Sequence, residues 1–279
     1  MKYDACNPAK RSPVTDHTID NIKLCLAVCT CPDGYHVAWK VLGELGSRSQ
    51  LDELIPYVRP VCGLVMNKPC HILIAGAADE ASLAMLDGFD SDRNWRFSVA
   101  DYCKAPLLLA ENYARKHQVS VKTICTDLAA FTSEDRYDMV FVFSTLCFMD
   151  ANARKAFLES AAERLTADGK IICVARYFEN PPRIAQETNS WETRMQRRVR
   201  SRFKDFPELI PALGEILTRL AVTRRNAMLA QPNLEDLKRD FKAVGLSIQS
   251  STDIPTHHRV IKDVFHTQKK SLLVLSRDD

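Results

Sequence analysis

HILIAGAADEASLAMLDG, residues 71–88, is the stretch that decides the architecture. Its first half is a short apolar run that stops at Gly76. Its second half is small and polar, then apolar at helical spacing. That order predicts a buried strand, a tight turn and a helix. The same unit recurs downstream. WRFSVAD (95–101) is a strand ending in an acid, and APLLLAENYARKH (105–117) is an amphipathic helix with Pro106 in its first turn. VSVKTICTD (119–127) and RYDMVFVFS (136–144) are two more strands, ANARKAFLESAAERL (151–165) a helix, and KIICVARYF (170–178) a fifth strand after the turn Ala167-Asp168-Gly169. The strand runs are apolar throughout, as expected for parallel strands covered on both faces. The expected fold is therefore a doubly wound, mostly parallel α/β sheet. A helix, PNLEDLKRDFKAVG (232–245), and two closing strands, LSIQSSTDI (246–254) and KKSLLVLSR (269–277), complete it as a seven-stranded sheet with a hairpin-like edge.

Upstream, residues 1–66 read as an N-terminal helical cap. An irregular arm over 1–18 is followed by helical spacing from Thr18, in YHVAWKVLGEL (35–45) and in LDELIPYVRPVCGLVM (51–66). Residues 67–279 form the main domain, with an Arg-rich helical insertion at 180–230. The chain of 279 residues is 46% apolar and 26% charged, which is globular composition. No apolar stretch approaches a membrane span, and the N-terminus shows no secretory signal, so a cytoplasmic protein is expected. A net charge of +3 is too small to argue for nucleic acid by itself. Ten cysteines are too sparse for a disulfide scaffold and are read as thiols, several inside strands.

In an open parallel sheet, ligands bind beyond the carboxyl ends of the strands. Ala75, Gly76 and Ala77 form a thin turn there that admits a ligand to helix N–H groups. Asp101 closes the second strand, 25 residues after Gly76. A carboxylate at that place can accept both hydroxyls of a ribose, or cap the following helix. Asp127 closes the third strand, where it can accept from a purine amine while Leu128 packs on the ring; a solvent-exposed loop acid is the other reading. Phe143 and Ser144 end the fourth strand and line the mouth of a pocket. A pyrophosphate-binding G-x-G-x-x-G is absent, since only Gly76 is present.

Together these segments resemble the class I S-adenosylmethionine-dependent methyltransferases, a Rossmann-like family. HILIAGAADEA is similar to the methionine-end loop and SVADYCKAPL to the ribose-acid segment, with Asp101, Tyr102 and Cys103 on it. ICTDLAAF is similar to the adenine segment, with Asp127 and Leu128. YDMVFVFSTLCFMD is similar to the fourth-strand motif, and RLTADGKIICVARY to the fifth-strand turn. The sequence departs from the pattern at Ile74, where the family often has an acid, at Ala78 and Glu80, and at Asp168-Gly169. The resemblance implies S-adenosylmethionine as cofactor, S-adenosylhomocysteine as product, and methyl transfer to an acceptor.

The acceptor pocket is expected outside the strand core. Tyr35, His36 and Trp39 lie on one helix. His36 is a candidate general base, and Tyr35 and Trp39 candidate acceptor contacts, against ordinary packing. Arg176 and Tyr177, past strand five, are candidate pocket residues, with Tyr177 the second catalytic candidate. WETRMQRRVRSRFK (191–204) carries six Lys/Arg against one Glu, and on a helix Arg194, Arg197, Arg198 and Arg202 approximate one face. A solvated face, an anionic acceptor gripped by Arg194 and Arg198, and a polyanion dock are the readings of that stretch. Asn180-Pro181-Pro182 is a loop exit, not an amine-methyltransferase motif. His257-His258 is a loop. Cys25, Cys29 and Cys31, with His36 nearby, form one cluster where zinc sites usually show two pairs, so no metal is expected.

The expected function is methyl transfer to a small molecule bearing an acidic group. The alternatives are an inactive binding or scaffold subunit and an RNA or protein methyltransferase docking through the basic insertion. A homodimer is left open.

Overall fold

The computed structural model describes residues 14–46, 53–63, 69–90, 94–178, 188–229, 232–255 and 268–278. The 180–182 and 257–258 loops and most of the N-terminal arm lie outside those residues.

Seven strands form one sheet in the order β3-β2-β1-β4-β5-β7-β6. They are β1 (Cys70–Ala75), β2 (Trp95–Asp101), β3 (Ser120–Cys125), β4 (Tyr137–Phe143), β5 (Leu165–Phe178), β6 (Leu246–Asp253) and β7 (Gln268–Arg277). The first five are parallel, and β7 runs antiparallel between β5 and β6. All six residues of β1 are buried, as a central strand covered on both faces requires. β3 and β6, at the two edges, are largely solvated, and their sequences are correspondingly more polar.

The helices are α1 (Asp16–Val28), α2 (Tyr35–Glu44), α3 (Ile55–Cys62), α4 (Ala81–Asp87), α5 (Lys104–His117), α6 (Ala151–Glu163), α7 (Thr188–Arg202), α8 (Ile210–Leu229) and α9 (Leu234–Ala243). One sheet face packs Ile72, Ile74, Phe97, Phe141 and Ile172 against α3, α4 and α5. The other packs Leu73, Val140, Val142 and Leu273 against α6 and α9. Alternation along each strand divides the two sets, since successive side chains point to opposite faces.

A third apolar cluster revises the expected organisation. Residues of α1 and α2 share it with Met195, Val199 and Phe203 of α7, with Leu213, Ile216, Leu217 and Leu220 of α8, and with Cys103, Ala105 and Leu109 at the start of α5. The cap and the insertion are thus one helical layer, formed by chain segments far apart in sequence. By contrast α3, expected within the cap, contributes Val58 and Cys62 to the sheet core. Helical spacing marks a buried face but not which partner covers it.

The expected turn at Ala167-Asp168-Gly169 is absorbed into β5 as a bulge, where the register jumps from Tyr137↔Leu165 to Met139↔Lys170. Gly169 suits the close approach, because a Cβ there would stand 2.9 Å from the Tyr137 carbonyl. In α1 the helix starts at Asp16, two residues ahead of the expected Thr18, with Thr15 accepting from the Thr18 N–H.

Candidate functional site

The strand order reverses between β1 and β4: the chain winds outward through β2 and β3, then returns to the other side of β1. The crevice beyond the carboxyl ends of two such strands is the expected ligand position. Gly76 ends β1 there with φ of +74°, a left-handed conformation that side chains rarely adopt. Thr145, just past β4, packs on it, and its hydroxyl donates toward the Ala75 and Gly76 carbonyls at 3.2 and 3.1 Å. The turn is therefore braced by the neighbouring loop, and Ser144 beside it is buried with φ of +57°.

Asp101 lies at the end of β2, buried, with Oδ1 accepting the Cys103 N–H at 2.8 Å. It therefore supports the start of α5, whose N-cap is Cys103, and still faces the crevice end of the sheet. Burial pushes its carboxyl up to about 6, against the pull of His36 and the Cys103 N–H. His36, on α2, is buried too. Its Nδ1 bonds the Ala78 carbonyl at 3.0 Å, and its Nε2 lies 3.7 Å from Asp101 Oδ1. Burial opposes the charged imidazole, but the Cys103 thiol, Asp101 and the Ala78 carbonyl together raise it to about 9. The sequence reading placed His36 as a general base. The geometry places it as a brace between the Gly76 loop and the Asp101 carboxylate.

Lys40, one turn further along α2, was not read from sequence. Its Nζ lies 3.3 Å from Asp79 and 2.5 Å from Glu80. Both acids, Glu80 at a position where the sequence departs from the family pattern, bind the cap. α2 thus holds the whole 76–80 loop from above. Its aromatic face continues the wall: Tyr35 stacks on Trp39 at 5.9 Å and meets the exposed Phe148 edge-on at 5.8 Å. Phe148 follows the fourth-strand loop, so these rings border the same crevice.

Asp127 is exposed and accepts the Ala129 N–H at 2.9 Å, capping a short 3-10 turn that buries Leu128. The exposed Tyr102 follows Asp101, and its hydroxyl donates to Cys31 Sγ at 2.9 Å. Ala75 and Ala77 are buried in the turn.

At the ends of β5 and β7 the structure brings together residues that sequence separates by almost a hundred positions. Arg176 and Lys270 are cross-strand partners. The Arg176 guanidinium lies 5.8 Å, and Lys270 Nζ 5.5 Å, from the centre of the Phe143 ring. Lys270 is only 4% exposed, and one Arg176 guanidinium nitrogen is buried without a hydrogen-bond partner. Burial, then the Arg176 charge, push the Lys270 ammonium down to about 7, against the opposing pull of Glu53. Two cations held together in a half-dry place call for an anion. Lys270 was missed because its significance depends on the antiparallel register of β7.

Three other candidates move. Tyr177 is buried on the opposite sheet face from Arg176, and its hydroxyl pairs with Ser271 Oγ at 3.0 Å. It has no place at the crevice as a base, because neighbouring strand residues alternate in direction. Arg198 bonds the Leu45 carbonyl at the end of α2, and Arg202 pairs with Glu44 at 2.7 Å. These arginines fasten the insertion to the cap, as cations at a helix C-terminus do. Arg194 is exposed. The helix is as expected, but its Arg198 and Arg202 are occupied by the protein itself.

No protein-family model and no curated protein matches the sequence. Solved structures match the fold. A S-adenosylmethionine-dependent methyltransferase from Clostridium acetobutylicum ATCC 824 aligns with a TM-score of 0.53 at 10% identity, over 84% of this chain and 95% of that one. The [4+2]-cyclase SpnF aligns with a TM-score of 0.55 at 12% identity, over 88% and 93%. The pyocyanin biosynthetic protein PhzM aligns with a TM-score of 0.52 at 13% identity, over 93% and 61%. With its strand order, its antiparallel seventh strand and its glycine turn at the β1/β4 crevice, the chain has the class I S-adenosylmethionine-dependent methyltransferase fold.

Proposed function

We propose that the protein transfers a methyl group from S-adenosylmethionine to a small molecule bearing an acidic group. The observation that carries this is the crevice itself, with a buried ribose-competent carboxylate at one side and, at the other, a cation pair of buried Lys270 and half-buried Arg176. An O-methyltransferase of this fold from Brevibacillus brevis was crystallised with S-adenosyl-L-homocysteine, at a TM-score of 0.50 and 9% identity over 81% of this chain and 75% of that one.

The donor set fits the cofactor. The Cys103 and Ala77 backbone N–H groups hold the Asp101 carboxylate at the end of β2, and its remaining lone pairs can accept from a ribose hydroxyl. Gly76 lets the chain turn sharply under Thr145 at the end of β1, and Asp127, exposed on its short turn, can accept from a purine amine. When bound, S-adenosylmethionine supplies an electrophilic sulfonium methyl for an in-line displacement. The chain's part is placement and exclusion of water. Lys40 and His36 fix the loop and the acid, the Tyr35–Trp39–Phe148 wall closes one side, and Arg176 with Lys270 orients the acceptor by its anion. Lys40 offsets one of the two negative charges that Asp79 and Glu80 bring to the loop.

The test is calorimetric titration with S-adenosylmethionine and S-adenosylhomocysteine, followed by an acceptor screen of small carboxylates and phosphates. Asp101→Asn keeps the size of the side chain and removes its charge. A lost charge-assisted hydrogen bond weakens cofactor binding by about 10–100-fold. No binding to the folded wild-type chain overturns the reading and favours a scaffold role.

A further inference from the structure

Three thiols from separate stretches of chain converge beside Asp101. Cys29 follows α1, Cys31 lies in the turn before α2, and Cys103 caps α5. Their sulfur atoms all lie within 4.8 Å of one another, and Cys103 and Cys29 are 3.8 Å apart. Cys29 and Cys31 also interact through their thiols. Four-coordinate zinc with sulfur bonds of about 2.3 Å sets neighbouring sulfurs about 3.8 Å apart. The trio is close to that spacing without any rearrangement of the backbone. Cys25, which the sequence grouped with Cys29 and Cys31, is not part of it. Cys25 is buried in the helical layer, and burial pushes its thiol up to about 12.

A second observation points into the same place. His36 is 2% exposed, yet its Nε2 has no hydrogen-bond partner. Its other ring nitrogen bonds the Ala78 carbonyl, which can only accept, so the proton sits on Nδ1. With the imidazole raised to about 9, Nε2 carries a proton as well, and it faces Cys103 and lies 3.7 Å from Asp101 Oδ1. The ring is thus a buried cation beside the three sulfurs, where it offsets the charge of their thiolates.

We propose that Cys29, Cys31 and Cys103 bind a soft, thiolate-preferring metal ion, Zn²⁺ in the first instance, with a solvent molecule as the fourth ligand. Three thiolates and a water make a tetrahedral zinc set, whereas Mg²⁺ and Ca²⁺ take oxygen. Each thiol loses its proton to solvent on binding, and the Tyr102 hydroxyl donates to the Cys31 sulfur from the surrounding shell. The ion would join the cap segment 29–31 to the β2–α5 turn that carries Asp101. The site lies apart from Arg176 and Lys270 and is independent of what acceptor they hold.

The test uses the reduced full-length chain and the metal alone. Zn²⁺ is expected to bind one per chain. Co²⁺ is expected to give the visible bands of a tetrahedral site and an ultraviolet thiolate charge-transfer band. Cys103→Ser and Cys29→Ser each weaken binding at least roughly tenfold, while Cys125→Ser, at an exposed thiol outside the trio, leaves it unchanged. On the wild-type chain, Zn²⁺ protects Cys29, Cys31 and Cys103 from alkylation and leaves Cys125 reactive. This reading needs no variant to fold. Absence of stoichiometric binding, unchanged bands in both serine variants, or protection at other cysteines overturns the proposal. So does formation of a Cys29–Cys103 disulfide as the only response to metal-containing buffer.

Discussion

Arg176 and Lys270 stand opposite each other on antiparallel strands, and both charges lie within about 6 Å of the Phe143 ring centre, at 5.8 and 5.5 Å. Like charges directly opposite in a sheet are destabilising. Here Lys270 is buried and Arg176 half-buried, so the pair is a local burden on the fold that an anionic ligand relieves.

This pair makes acceptor binding depend on pH. The groups facing Lys270 are Arg176, which lowers its pKa, and Glu53, which raises it. With the ammonium pushed down to about 7, the side chain is half neutral near pH 7 in the ligand-free protein. An anionic acceptor favours the charged form, so its binding takes up a proton, and KM rises as pH increases above 7. For stability the sign is opposite. A lysine depressed in the folded state binds fewer protons than in the unfolded chain between about 7 and 10.5, so stability rises with pH across that window. In Lys270→Met both slopes shrink. A KM that is indifferent to pH in the wild type counts against the pair as an acceptor grip.

Gly76→Ala tests the turn. A Cβ at residue 76 would stand 2.3 Å from Thr145 Cγ2, and φ is +74°. The backbone strain alone costs about 1–3 kcal/mol, and the clash adds to it. Thermal denaturation is expected to show that loss, and Thr145→Ala in the same chain recovers only part of the steric cost, because its Cβ stays 2.9 Å away and the strain in φ remains. Full recovery by Thr145→Ala would locate the whole effect in packing.

Tyr177→Phe separates a structural hydroxyl from a catalytic one. Losing the hydrogen bond to Ser271 costs about 1 kcal/mol of stability. Turnover stays within a few-fold of wild type. A general base would instead forfeit about 10²–10⁴ in kcat.

Arg202→Ala and Arg194→Ala distinguish fastening from docking. Arg202 pairs with Glu44 across the cap–insertion contact, both partly exposed, so its loss costs about 0.2–1 kcal/mol. Arg194 is exposed, and its removal leaves stability and acceptor KM unchanged. A large rise in acceptor KM for Arg194→Ala would restore the insertion as an acceptor surface.

The sheet was legible in the sequence because its signals are local. An apolar run bounded by a turn is a buried strand wherever it lies, and a small-residue turn ending at Gly76 is required by the backbone at that point. The acids ending β2 and β3 were legible for the same reason: strand ends are local features, and their position beyond a parallel sheet follows from topology. Reading failed where a residue's meaning lies in its partner. Arg198 looked like an anion site until the end of α2 came beside it. Tyr177 and Arg176 are neighbours in sequence, and alternation sends them to opposite faces.

Composition and alternation by themselves determined a globular α/β chain with a doubly wound sheet and a ligand crevice at its carboxyl end. Only the tertiary structure decided that the cap and the insertion are one layer, that Lys270 joins Arg176, and that Cys103 joins Cys29 and Cys31. Those relationships link segments 74 to 158 positions apart, as in Cys29–Cys103 and Glu44–Arg202. Hydrophobic periodicity specifies which face of an element is buried. It is the packing of whole faces against one another that selects the partner, and with it the chemistry that two distant side chains can share.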